Sequence, residues 1–493
     1  MQYYLTFDIG TTALKTALIS DDGRVTAAYC VEYTLSTPRP TWAEMASEIY
    51  WEAAVDGTRA VLASSEVDPS AVVAVGFSSQ GQSFVPIDAR GNALAEVIVW
   101  MDDRAQEIAA PWQAEWLSRE EFLRISGYPW LPAGLTVFKV AWLAQHHVTA
   151  HRAWKFLCLP DYLIYRLTGE TATDYITARM SGFYDLQSAG WEPRLVEAAG
   201  ISSEQLPQVL SPGAVAGKLS VSAAATLGLS AGIAVCVGGN DQVVGAVGAG
   251  NVRPGIITET TGTALALIAT TRRLLDDNRI CVGRHAVPEL SYAMTYTNTA
   301  AIVLKWFRDL MAPGEAYPDF LAGIDDVPAG CDGLTMLPHF AGSGSPTYNE
   351  SARGVFAGLT LAHTRAHFAR AIMEACACVL QECLDPLNEQ DATVTTVRSL
   401  GGAAHSDIWL QIKADLLGLP VERPACSDAA SLGAAMLAAA GTGHFTNIVE
   451  AADAWYRPAQ VFTPNKNRYP TYREVYRRYR ELYNALYGVD AGF

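Results

Sequence analysis

Two stretches far apart in the chain share one pattern, and that pattern narrows the available folds more than any other feature. Tyr3-Tyr4-Leu5-Thr6-Phe7 reads as a strand running through Asp8-Ile9 into Gly10-Thr11-Thr12, and Leu14 to Ile19 reads as the strand leaving that turn. Asp21-Asp22-Gly23 then closes a hairpin into Val25 to Tyr29, giving an antiparallel meander with a glycine–threonine tip. Thr258 to Ile268 repeats strand, Gly-Thr turn and strand; Gly262-Thr263 answers Gly10-Thr11, and Thr260 stands where Asp8 does. A hairpin of this kind opening each half predicts a duplicated domain facing itself across a cleft. Backbone N–H groups and short hydroxyls at such tips can hold phosphate oxygens. The single retained acid, Asp8, fits one magnesium site, reached through water. Taken alone, Asp8-x-Gly10-Thr11 also suits an ordinary hairpin.

Between the two hairpins lies Val235-Cys236-Val237-Gly238-Gly239-Asn240-Asp241-Gln242. The apolar run from Ala231 to Val237 predicts a buried strand, and the double glycine lets backbone approach a ligand. The small residues from Val243 to Gly250 predict a tightly packed helix. An acid where a buried strand meets a helix N-terminus is well placed for a general base, at the strand ends where α/β sheets bind ligands. Asp241 is equally well placed to be a helix cap.

The same alternation continues on either side. Glu44 to Ala63 predicts a helix and Ala71 to Phe77 a buried strand running into the polar loop Ser78-Ser79-Gln80-Gly81-Gln82-Ser83. Ala95 to Val99 predicts a strand ending in Trp100-Met101-Asp102-Asp103-Arg104, where a ring, carboxylates and a guanidinium could bind a polyol or form a capped helix start around a core Trp. Residues 112–212 are rich in helix and tryptophan and predict an insertion on the first domain. In the second half, Thr299 to Phe307 and Ala366 to Cys383 predict helices, and Phe340 to Pro346 a glycine–serine loop. Val394 to Leu400 predicts a strand ending in Gly401-Gly402-Ala403-Ala404-His405-Ser406, a turn able to pack on a flat base or accept a phosphate. Ala429 to Ala440 predicts a small-residue helix. The tail carries Tyr469, Tyr472, Tyr476, Tyr479, Tyr483 and Tyr487 at helical spacing, the mark of a helix lying on its own domain.

The 493 residues exceed what one core supports, and with half of them hydrophobic and 17% charged the chain is a packed globular one. A net charge of −16 argues against nucleic-acid and membrane partners, so an anionic substrate needs a local device. The nine cysteines show no Cys-x-x-Cys spacing, and Cys376, Cys378 and Cys383 read as core residues. There is no basic leader and no apolar run of spanning length, so a cytoplasmic location is expected. Gly213-Ala214-Val215-Ala216-Gly217-Lys218-Leu219 is one residue short of a P-loop and lacks its Ser or Thr. No serine-hydrolase elbow occurs either.

Asp8-Ile9-Gly10-Thr11-Thr12, Gly239-Asn240-Asp241-Gln242, Gly262-Thr263 and Gly401-Gly402, in that order, resemble the FGGY carbohydrate kinases over essentially the whole chain. Gly134 to His146 is similar to the family's first signature, and Ala403 to Val421, with Ser406, Gln411, Ala414 and Asp415, to its second. The resemblance implies an α/β fold of two actin/Hsp70-like (ribonuclease-H-like) domains, residues 1–248 on the sugar side and 249–493 on the nucleotide side. It implies ATP and Mg2+, with Asp241 as base, Asp8 at the metal, and Gly10, Thr11, Thr12 and Lys15 as the first phosphate loop. Gly262 and Thr263 fall on the second phosphate loop, and Gly401, Gly402 and Ser406 on the adenosine side. Gln80, Gly81, Gln82, Trp100, Asp102, Arg104, Asn240 and Gln242 fall around the sugar.

Within the family, Leu159-Pro160-Asp161-Tyr162-Leu163 and Leu167-Thr168-Gly169-Glu170 look most like xylulokinases, which implies phosphorylation of D-xylulose to D-xylulose 5-phosphate. Gln80-Gly81-Gln82-Ser83 departs from the Gln-Met-His-Gly usual there, which leaves ribulose, gluconate, glycerol or erythritol open. A homodimer also stays open. From another class, an actin-like ATP-driven switch would share the phosphate tips but needs no polyol pocket.

Overall fold

The computed structural model describes residues 1–147, 149–390 and 392–488. Two sheets of one design carry the molecule. The first has six strands, and from its edge the order is Val215–Lys218, Ala234–Cys236, Val72–Ser79, Tyr3–Ile9, Ala13–Ser20, Val25–Glu32. Tyr3–Ile9 runs antiparallel to Ala13–Ser20 and parallel to Val72–Ser79, which is in turn parallel to Ala234–Cys236. The seven-stranded second sheet repeats this plan: Ile256–Thr261 is antiparallel to Leu265–Thr271 and parallel to Thr396–Leu400, with Val421–Pro424 parallel beyond it. Each parallel set then ends in an antiparallel edge, Val215–Lys218 in one sheet and Pro458–Phe462 in the other. The duplication expected from the two Gly-Thr hairpins is therefore a duplication of whole sheets.

Apolar alternation explains the strand interiors. Leu5, Phe7 and Ile9 are buried on the first hairpin, and Ile257 and Leu265 on the second. The loops that carry polar residues leave the carboxyl ends of the parallel strands, where α/β folds hold ligands.

The two sheets are joined by close helix packing rather than by a bare linker. The Ala429–Gly441 helix, from the second half, lies against Tyr3–Ile9, Val72–Ser79 and the Asp241–Gly248 helix. Glycines make this approach: a Cβ on Gly433 would sit 1.9 Å from the Val244 carbonyl oxygen, and one on Gly248 would sit 1.8 Å from that of Ala429. Gly76 is likewise pressed on the Ala434 carbonyl oxygen. The small-residue runs at 243–250 and 429–440 thus serve one interface.

Residues 112–212 contain several helices and share strand pairing with the first half. Their Lys155–Cys158 strand pairs with Phe84–Ile87 in a four-stranded sheet that also contains Glu44–Met45 and Val97–Ile98. Glu44 was expected inside a helix; it pairs instead with Ile98 in that sheet, with its carboxylate 2.6 Å from Arg104, and the helix starts at Ser47. The tail helix, Tyr469–Tyr487, buries Tyr472, Val475, Tyr479 and Tyr483, and Tyr479 donates to Glu382 at 2.7 Å. Cys376, Cys378 and Cys383 are core residues. Among the described residues, no helix is long and apolar enough to cross a membrane.

Candidate functional site

Asp8 is the penultimate residue of the first strand, paired across to Lys15 on one side and Ser78 on the other. It is partly buried, and its Oδ1 accepts from Ser78 Oγ at 2.7 Å. Burial pushes its carboxyl up to about 6, against the opposing effect of Ser78; Asp428 raises it further. Asp241 opens the Asp241–Gly248 helix. Here the structure places both residues: Asn240 is the cap and Asp241 the first residue inside the helix, and the Gln242 N–H is shared between them, donating to Asn240 Oδ1 at 3.2 Å and to Asp241 Oδ1 at 2.7 Å. Burial, and then the charge of Asp8, raise the Asp241 carboxyl to about 7. Two neighbouring acids that hold their protons this tightly are suited to sharing a cation or accepting a proton near neutrality.

The Gly10-Thr11-Thr12 tip is braced from several directions. Tyr33 donates its hydroxyl to the Gly10 carbonyl at 2.6 Å. Gln80 donates Nε2 to the same carbonyl at 3.1 Å and accepts from Thr11 Oγ1 at 3.2 Å. The Trp100 indole donates to Thr11 Oγ1 at 2.9 Å, and the residue is 41% exposed. The loop after Val72–Ser79 is tied to the Asp241 turn by Ser79 N–H donating to the Gly239 carbonyl at 3.1 Å. Gly81 faces the Asn240 amide and Met180. Gln82 holds a left-handed backbone (φ 64°) and donates Nε2 to the Tyr128 hydroxyl at 2.9 Å. Gln80, Gly81, Gln82, Trp100, Asn240, Asp241 and Gln242 therefore gather with Asp8 and the first tip.

Asp102 and Arg104 do not join them. Asp102 is fully buried and accepts from Ala43 N–H at 2.6 Å, from Arg104 N–H at 3.0 Å, and from Arg104 Nε and Nη2 at 2.8 and 2.7 Å. Its lone pairs are spent. Arg104 is 8% exposed, lies 3.8 Å over the Trp42 ring and also holds Glu44. The pair braces the Trp100 loop from behind. Both were expected around the sugar; here their polar atoms are engaged with each other, Ala43 and Glu44, and local spacing does not reveal which side of a loop faces the core.

On the second sheet, Gly262-Thr263 ends Ile256–Thr261, and Gly401-Gly402 ends its parallel neighbour Thr396–Leu400. The tips touch: a Cβ on Gly401, where φ is +79°, would sit 2.9 Å from the Thr261 carbonyl oxygen. Ser406 spends its hydroxyl on capping the Asp407–Leu417 helix, accepting from Trp409 N–H at 3.4 Å. Lys15 reaches Asp428, the cap of the Ala429–Gly441 helix, at 3.5 Å. Asp428 and Tyr33 had no local motif in the sequence, and Ser78 stood out only as part of its polar loop; the capping position ahead of a small-residue run hints at Asp428.

Among the described residues, no group of three or more His, Cys, Asp or Glu side chains could enclose a metal. The carboxylates of Asp8 and Asp241 are the oxygen donors this site offers to a hard cation.

A family model described as the N-terminal domain of the FGGY family of carbohydrate kinases matches residues 3–248, and one for the family's C-terminal domain matches residues 259–442. The chain is 29% identical over 486 residues to the xylulose kinase of Bacillus subtilis, covering 98% of this chain and 97% of that protein. It is also 29% identical over 496 residues to the L-xylulose/3-keto-L-gulonate kinase of Escherichia coli, covering 99% and 98%. The crystal structure of xylulose kinase from Rhodospirillum rubrum is similar with a TM-score of 0.91 and 29% identity, covering 98% of this chain and 99% of that one.

Proposed function

The chain belongs to the FGGY family of carbohydrate kinases and is an ATP-dependent sugar kinase, and from that premise we propose that it transfers the γ-phosphoryl group of ATP to a hydroxyl of a ketopentose, D-xylulose giving D-xylulose 5-phosphate. The relative named xylulose kinase, similar end to end, supports the substrate. The observation that carries the chemistry is Asp241: Asn240 has taken over the helix cap, leaving a carboxylate raised to about 7 beside the Gln80–Gln82 loop.

In this reading Asp241 accepts the proton of the attacking hydroxyl as the phosphoryl group is displaced in line. Gln82, Trp100, Asn240 and Gln242 orient the sugar, and Gly81 lets Met180 and the Asn240 amide close against the loop. Gln80 acts through the tip, holding Gly10 and Thr11 in place. Thr11, Thr12 and Lys15 take one side of the phosphate chain, Gly262 and Thr263 the other, and Gly401 and Gly402 the nucleoside end. Asp8 holds Mg2+, which when bound neutralises charge on the transferring group. Catalysis is then mainly positioning and charge neutralisation.

A second reading keeps the reaction and changes the sugar. Gln82 fixed on Tyr128, and a relative named for L-xylulose and 3-keto-L-gulonate, favour other ketoses or sugar acids. A coupled ADP-release screen over D-xylulose, L-xylulose, D-ribulose, gluconate, glycerol and erythritol decides between the two. D-xylulose should give the highest kcat/KM, and a tenfold preference for another compound would refute it as the substrate. ATP hydrolysis stimulated by no sugar would refute the kinase reading of this cleft.

A further inference from the structure

Beneath the two tips of the second sheet lies an ion pair with no exposed surface. Lys413 Nζ lies 2.5 Å from Glu259 Oε1, and both side chains are 0% exposed. The ammonium also donates to Thr261 Oγ1 at 3.0 Å and Ser399 Oγ at 3.3 Å. Thr261 donates to Glu259 Oε2 at 2.5 Å, and Ser399 donates to Oε1 of the same carboxylate. Every partner is thus supplied from inside this one cluster.

Its position is what sets it apart from an ordinary core pair. Thr261 immediately precedes Gly262; Ser399 lies two residues before Gly401; Lys413 sits in the helix that Ser406 caps. Backbone pairing already sets Glu259 opposite Ser399, so strand register does not require the charges. The surroundings are apolar, with Trp409 and Cys376 nearby. There, well-packed hydrophobic side chains would be about as stabilising as the pair, because desolvating both charges offsets most of their attraction. What charged, directional bonds add is a fixed orientation of the groups they hold. Because the Gly401 backbone touches the Thr261 carbonyl, a shift at either strand end displaces both turns.

We infer that the Lys413–Glu259 pair is a positioning device for the nucleotide, fixing the relative placement of the Gly262-Thr263 and Gly401-Gly402 turns through Thr261 and Ser399. The inference rests on the reading that these turns face ATP. The test is the double variant Glu259→Leu/Lys413→Met, which removes both charges together. Magnesium-ADP binding by titration calorimetry should weaken at least tenfold, while the melting temperature stays within a few degrees and the KM for the sugar within twofold. A folded double variant that binds ADP within twofold of the parent overturns the inference. So does a parallel loss of stability, ADP affinity and sugar KM, which marks a merely structural role. Thr261→Val and Ser399→Ala delete single hydroxyls and decide the matter if the double variant does not fold: each should weaken ADP about threefold, and no change in both overturns the inference. Thr263→Ala separates the two layers. If it leaves ADP affinity unchanged, the nucleotide reading of the tip falls and takes the inference with it; if it weakens ADP while the double variant does not, only the inference falls.

Discussion

The carboxylate proposed to accept the substrate proton is one the folded protein holds at a cost, and Asp241→Asn tests both statements together. Burial and Asp8 raise this group from 3.8 to about 7. Each unit of such a shift corresponds to about 1.4 kcal/mol, so about three units amount to about 4 kcal/mol of disfavoured ionisation. Partial exposure of the side chain reduces this to about 2 kcal/mol after solvent screening. The sign follows from linkage: the folded value lies above the unfolded one, so the unfolded chain releases this proton first. The penalty begins as pH rises past the unfolded value near 4, grows up to about 7, and is constant above it. Asparagine keeps the shape and an oxygen for the Gln242 N–H, but carries no charge. The variant should therefore be about 2 kcal/mol more stable than the parent at pH 8, with the difference vanishing near pH 4, as read by urea unfolding at both pH values. Its sugar-dependent turnover should fall by about two to four orders of magnitude, with ADP affinity retained. In the parent, kcat/KM should lose about a factor of ten between pH 8 and pH 6, because about a tenth of a group titrating near 7 is ionised at pH 6. Wild-type turnover in the variant, or a stability advantage over the parent no larger at pH 8 than at pH 4, would refute the reasoning.

Three further substitutions separate the roles assigned around the cleft. Asp8→Asn should raise the magnesium concentration for half-maximal activity about tenfold or more, read by metal titration at saturating ATP; an unchanged requirement removes Asp8 from the metal. Gly433→Ala places a methyl carbon against the Val244 carbonyl and should cost about 2 kcal/mol, seen as a lowered unfolding midpoint, because two backbones must part. Asp102→Asn leaves Arg104 buried with only Glu44 as a charged partner and should destabilise by about 3 kcal/mol, while the fraction that folds keeps its sugar KM within a fewfold. A large rise in KM without loss of stability would return Asp102 to the pocket.

Much of this architecture is legible in the amino-acid order because it is local. Strand alternation around Gly10-Thr11 and Gly262-Thr263 sets two hairpins, and two hairpins of one design lead to two sheets of one topology. The small-residue runs at 243–250 and 429–440 announce close packing, although not that each is the other's partner. Asp241 is visible as an acid at a strand-to-helix junction; whether it caps the helix or faces the cleft is not, because Asn240 competes for the cap and only backbone geometry resolves the competition.

What the sequence by itself determined is therefore the set of turns, their chemistry and the family likeness that orders them, since each depends on residues a few positions apart. The tertiary structure alone decided which side chains share a space. Trp100 meets Thr11, Lys15 meets Asp428, Lys413 joins Glu259 to Ser399, and Asp102 turns inward to Arg104. The first three pairings cross long stretches of chain, the inward turn of Asp102 is set by packing, and burial, which raises the Asp8 and Asp241 carboxyls, is a property of everything packed around a group rather than of its neighbours in sequence.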